Sequence, residues 1–142
     1  IDERALLGYT KIETVIINEG LRHLAGNPFY GLESLSRITV SPDHQYFATI
    51  GGVLFQKPEK RLVCYPSKLS AESYEIPDGI KVIGKTSFFR NQYLKRLTIP
   101  NSVTVIEESA FTNCSGLKNI TLPNSIQKIG DDAFFRCSAL NS

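Results

Sequence analysis

Apolar residues between Tyr74 and Ser142 fall into columns that recur every 23 residues. Ile83, Ile106 and Ile129 form one column, Phe88, Phe111 and Phe134 a second, and Leu94, Leu117 and Leu140 a third. Asn91, Cys114 and Cys137 hold another place in register, as do Ile80, Val103 and Ile126. Each copy carries the same strand exit: Ile76-Pro77, Ile99-Pro100, Leu122-Pro123. Self-similarity at a fixed period of about 20–50 residues predicts a solenoid, in which each unit stacks on the one before.

The copy at 117–139 shows the plan of one unit. Leu117, Ile120 and Leu122 are apolar and Thr121 is polar, which predicts a short strand with one buried face. Pro123 ends it, since proline cannot donate to a ladder, and Pro123-Asn124-Ser125 has turn chemistry. Ile126 and Ile129 return to the core. After Gly130, the run Asp131 to Arg136 predicts one short helical turn, its acids placed to suit the helix dipole; Glu107-Glu108 supply the acids one copy earlier. A unit this small cannot bury its own apolar columns. Stacking buries them as ladders of like residues, with strands paired in parallel, so the expected class is an α/β repeat solenoid.

The pattern L-x-x-I-x-[IL]-P-x-[SG]-[VI]-x-x-I-x-x-x-[AS]-F-x-x-[CN]-x-x-L resembles the leucine-rich repeats of the BspA type, found in bacterial and some protist surface proteins. Leu94 to Leu117 and Leu117 to Leu140 carry it, and 71–94 carries it with small departures. The resemblance implies a right-handed leucine-rich-repeat superhelix of short parallel strands, secreted or surface-anchored, adhesin-like, acting by binding. It brings no catalytic motif.

The first half is less regular. Residues 1–11 read as the tail of a partial repeat, with Leu6, Tyr9 and Ile12 in the phenylalanine, cysteine and leucine columns. Residues 12–34 form a degenerate repeat: Ile12, Val15 and Ile17 as strand, Leu21 and Leu24 as core, then Phe29 and Leu32. Residues 35–70 form a long unit, and 71–93, 94–116 and 117–139 the regular ones. Inside the long unit, Tyr46 to Ile50, Val53 to Phe55 and Leu62 to Tyr65 are β-like. Gly51-Gly52 is a two-residue hairpin turn, and Lys57 to Lys60 a second turn. They predict an inserted antiparallel β-meander, which also resembles a segment that interrupts BspA-type arrays.

Composition changes this picture little. The 142 residues suit one domain, with 42% hydrophobic and 21% charged residues and a net charge of +2. That charge is too weak to argue for nucleic acid or an anionic membrane, and no apolar run is long enough for membrane insertion. The chain begins at Ile1 and contains no methionine, so it reads as a mature or excised piece. Neither end carries an obvious polar cap, which points to neighbouring repeats of a longer array or to ends paired with another molecule.

Little in the chain suggests catalysis. Cys114 and Cys137 are stacked neighbours whose side chains point the same way, so free buried thiols are expected, and Cys64 reads as core. No C-x-x-C supports zinc. His23 and His44 read as solvated loop residues, and the paired acids recur at one repeat position. No nucleotide cradle is present. No catalytic residue, metal or cofactor is expected.

The outward positions of the strands are the expected contact surface. Thr14, Arg37, Ser73, Arg96 and Asn119 make one column, and Ile16, Thr39, Glu75, Thr98 and Thr121 the next. Arg37, Thr39, Glu75, Arg96, Thr98, Asn119 and Thr121 are the expected ligand-binding residues, set against the alternative that threonine is there because it suits strands. Tyr46, Phe47 and Tyr65 in the meander are alternative contact points, set against the commoner role of aromatics on small sheets, which is packing. The expected function is a non-enzymatic module of a bacterial extracellular or cell-surface protein, binding a protein or glycan, host surface molecules included. The alternatives are a structural spacer without a ligand, or an accessory region of a larger secreted enzyme.

Overall fold

The computed structural model describes residues 2–140. Its strands are β1 (Thr14–Ile17), β2 (Arg37–Val40), β3 (Phe47–Ile50), β4 (Val53–Gln56), β5 (Arg61–Cys64), β6 (Ser73–Glu75), β7 (Val82–Ile83), β8 (Arg96–Thr98), β9 (Val105–Ile106), β10 (Asn119–Thr121) and β11 (Lys128–Ile129). Each regular coil gives one strand to a front sheet, in the order β10-β8-β6, and one to a back sheet that continues β11-β9-β7-β5-β4-β3. The front strands pair in parallel, Ser73 on Arg96 on Asn119 and Glu75 on Thr98 on Thr121, which is the register of the sequence repeat. The back strands pair as Ile83 on Ile106 on Ile129. These two-residue strands were not expected as strands, because a run this short shows no alternation.

Between the sheets the columns become ladders. Tyr65, Phe88, Phe111 and Phe134 stack face to face, with ring centroids 4.8, 4.7 and 5.1 Å apart. Ile83, Leu94, Val103, Ile106, Phe111 and Leu117 are wholly buried. Tyr65 thus extends the phenylalanine column back into the long unit, and Leu69 packs against the core there while Ala71 is exposed.

The expected short helical turns are absent: the described residues contain no helix. The reason lies in where the N–H groups go. Ser109, Phe111 and Asn113 donate to the carbonyls of Asp131, Ala133 and Phe135 in the next coil, at 2.9, 2.7 and 2.9 Å. The N–H groups between them close tight turns within their own coil, as Thr112 does onto Ser109 O. An α-helix would keep every such bond inside the segment. Alternate donation needs backbone reversals instead, and Thr86, Ser109 and Asp132 adopt φ of 54°, 56° and 56°, with Arg90, Asn113 and Arg136 at 62°, 62° and 57°. A left-handed residue other than glycine costs about 1 kcal/mol, which the lateral bonds between coils offset. Gly130 opens the turn because a Cβ there would sit 2.4 Å from Glu108 N.

The antiparallel meander expected in the long unit is present, and its last strand also belongs to the solenoid. β3 and β4 pair antiparallel across Gly51-Gly52, at φ 60° and 83°, and β4 pairs antiparallel with β5. β5 then pairs in parallel with β7, Arg61 on Val82 and Leu62 on Ile83, so it is the back strand of its own coil. Side chains of the meander go to both sides. Val53, Phe55, Leu62 and Tyr65 join the core of the regular coils, whereas Phe47, Leu54, Val63 and Cys64 join a second core with Ile17, Leu24, Phe29, Leu35 and Ile38. The meander is a wall shared by two cores. Consistent with this, β1 and β2 pair with each other but not with β6.

Candidate functional site

The strand positions expected to make contact all face solvent, but on two panels. Thr14, Ile16, Arg37 and Thr39 lie on β1 and β2; Ser73, Glu75, Arg96, Thr98, Asn119 and Thr121 lie on β6, β8 and β10. Parallel pairing places neighbours in each column about 4.8 Å apart. Lys95 Nζ donates to Glu72 Oε1 at 2.8 Å beside the second panel. That bond, then the charges of Lys95, Arg96 and Lys118, hold the Glu72 carboxyl below its usual range. Arg37, Arg96 and Glu75 take part in none of the ion pairs among the described residues. Their charges are therefore free for another molecule.

Other expected contacts are not on the surface. Phe47 and Tyr65 are buried, 0% and 1% exposed, and Tyr46 packs half-buried against the second core. His44 is buried as well, not solvated. Its Nε2 lies 2.9 Å from Asn18 O, and its Nδ1 accepts from the N–H groups of Tyr46 and Phe47, so the ring ties the exits of two coils to the meander. His23 fits the expectation better, exposed and 3.5 Å from Glu59. Without a helix the acids have other work: Glu107 Oε2 accepts from Arg61 and from Lys85 N.

The thiols serve the fold. Cys114 Sγ donates to Phe88 O at 2.9 Å and Cys137 Sγ to Phe111 O at 3.0 Å, each reaching into the coil before. All three cysteines are free. Burial pushes the Cys64 thiol up to about 12 and the Tyr65 hydroxyl to about 12. It also raises Cys114, with Cys137 adding to the effect. Such groups hold their protons more firmly folded than unfolded. Their stabilisation is complete below the unfolded thiol value of 9.0 and is lost as pH rises toward the folded value. Stability is therefore expected to be level up to about pH 9 and to fall above that by about 1 kcal/mol per pH unit for each of Cys64 and Cys114. Urea midpoints at pH 7 and about pH 10 measure this; equal midpoints would refute it.

A cleft that the columns did not reveal lies where the coils turn from the aromatic ladder toward the front strands. It has a volume of about 320 Å³ and is lined by Tyr30, Glu33, Lys68, Arg90, Tyr93 and Asn113 among others. Its residues come from four coils, and the irregular long unit sits among them, so no period marks it.

Repeat, register and ladder all point to one kind of array, and comparison decides which. The signature described as "BspA type Leucine rich repeat region" matches residues 1–70 and 61–142, in 6 copies. The chain belongs to the BspA-type leucine-rich repeat family. Among solved structures, this BspA-type array is similar to a leucine-rich repeat protein from Eubacterium ventriosum, at 26% identity and a TM-score of 0.86 over 91% of this chain and 35% of that one. It is similar to the pneumococcal vaccine antigen PcpA, at 28% identity and 0.79, over 84% of this chain and 35% of that one. A leucine-rich cell surface protein from Faecalibacterium prausnitzii shares the fold, at 23% identity and 0.67, over 92% of this chain and 47% of that one. The chain thus spans about a third to a half of the length of these structures. No curated protein matches it.

Proposed function

We propose that this BspA-type array is a non-catalytic binding module of a bacterial secreted or cell-surface protein, and that the front strands hold a protein partner. The observation that carries this is the panel of β6, β8 and β10, where Arg96 and Glu75 stand unpaired among Thr98, Thr121, Ser73 and Asn119. Threonine is stiff at χ1, and the ladder fixes each residue's place. The threonines therefore have little side-chain freedom left to lose on association, which is one of the main costs of binding. Opposite charges on one face favour a partner of complementary pattern. The likeness to a pneumococcal vaccine antigen supports an extracellular setting.

Screening the purified chain against extracellular-matrix proteins and a glycan array, beside an Arg37→Ala/Arg96→Ala variant, tests the reading. The expected result is a saturable protein ligand whose affinity falls about tenfold or more in the variant. Binding that the variant keeps would remove the front panels from consideration. The column Ser73, Arg96, Asn119 repeats no residue type, which favours a second reading, a spacer with no ligand. No binding by a folded chain would establish that one.

A further inference from the structure

We infer that the side cleft is a saccharide site, and that its ligand is a short glycan carrying a single carboxylate, of the sialic or uronic acid kind. The volume of about 320 Å³ is at the low end for small-molecule pockets, about 300–1,000 Å³, which suits a few sugar rings. Its lining is the main argument. No aliphatic side chain contributes to it, so apart from its aromatic rings it offers little to a lipid or to the apolar side chains of a peptide. What it offers is aromatic rings, amides, hydroxyls and charge, the set that recognises a ring with one C–H face and a rim of hydroxyls.

The cleft is built rather than incidental. Asn91 is fully buried, and its Oδ1 accepts from the N–H groups of Tyr93 and Leu94, both at 2.9 Å, which fixes the turn that presents Tyr93. Tyr93 itself is 40% exposed. Also in the lining, Arg90 pairs with Glu33 and lies over the Phe89 ring, 5.2 Å from its centroid. Phe89 meets Tyr30 edge to face at 5.4 Å. Among the described residues the side chains of Gln92, Asn113 and Ser115 make no hydrogen bond within the chain, which leaves their amides and hydroxyl free for sugar hydroxyls.

Charge fixes the class of sugar. Arg90 is matched by Glu33, but Lys68 has no carboxylate partner among the described residues; its Nζ rests 5.9 Å from the centroid of Tyr93. The lining therefore carries one uncompensated positive charge beside an exposed aromatic face. The lysine stem is flexible. Its ammonium can move onto a ligand carboxylate as a charge-assisted hydrogen bond, and the Tyr93 face then receives the ring.

Titration of the whole chain with 3′-sialyllactose and with lactose, followed by saturation-transfer NMR, tests the site. Saturable binding of 3′-sialyllactose with little or none of lactose is expected. Lys68→Gln and Tyr93→Ala should each weaken it about tenfold, with folding confirmed by circular dichroism. Both side chains are exposed, so the fold does not depend on them. Arg37→Ala/Arg96→Ala should leave it unchanged, which keeps this site separate from the front panels. Equal binding of lactose, full affinity in Lys68→Gln or Tyr93→Ala, or no binding of 3′-sialyllactose by the folded chain would each overturn the assignment.

Discussion

Replacing Phe111 by alanine is expected to cost about 3–5 kcal/mol of folding stability, the usual loss for a fully buried phenylalanine. Phe111 is 0% exposed and has stacking partners on both sides, Phe88 at 4.7 Å and Phe134 at 5.1 Å. Removing the ring leaves a gap between two coils that backbone hydrogen bonds hold at fixed spacing, so the coils cannot close over it. Phe134→Ala makes the informative comparison, since Phe134 is only half-buried and stacks on Phe111 alone among the described residues. Its loss should be clearly smaller in urea unfolding. Equal losses would mean that the ladder is not what holds the coils together.

Asn91→Ala should be nearly as damaging, about 3 kcal/mol or more, because four hydrogen bonds go at once. Nδ2 donates to Pro66 O at 2.9 Å and Leu69 O at 3.1 Å, while Oδ1 accepts from Tyr93 N and Leu94 N. Every bonding position of the amide is therefore used. The equivalent cysteines do less: Cys114 makes one donation to Phe88 O. Asparagine stands in this column where the coil behind is the irregular one and its carbonyls are not arranged for a thiol. Asn91→Cys, which restores the repeat consensus, is consequently expected to destabilise almost as much as alanine. Thermal unfolding of the two variants decides this; a cysteine variant as stable as the natural chain would sink the account.

The solenoid was legible in the sequence because each column is a physical ladder: Ile83, Ile106 and Ile129 recur where they touch. The front register could be read for the same reason, and so could the outward rows from Ser73 to Thr121. The helical turn was misread at Asp131 to Arg136. Its composition suits a helix, but neighbouring coils compete for its N–H groups, and that competition is a tertiary effect. The antiparallel meander of the long unit was legible from its turns, but the pairing of its last strand with β7 was not. From Arg61 to Tyr65 the chain is two residues shorter than from Val82 to Phe88, so β5 fell out of step and looked like part of an insertion. The cleft escaped because Tyr30 and Lys68 belong to coils that no constant period relates. His44 escaped because a buried imidazole bonded to backbone has no sequence signature.

The shared wall changes how the array should melt. In a simple repeat chain each coil is stabilised only by its nearest neighbours, and fraying can travel inward one coil at a time. Here β4 and β5 are buried on both faces, and adjacent residues such as Leu54 and Phe55 serve opposite cores. Beyond the meander the halves are joined mainly by polar and edge contacts, among them Asn27 Nδ2 to Thr86 O at 3.1 Å, Lys68 N to Leu35 O at 2.8 Å and Tyr30 against Phe89. Losing either core strips one face of the same two strands and so weakens the other. The interruption of the repeat thus makes two short arrays, each too small to be robust alone, unfold as a single cooperative unit.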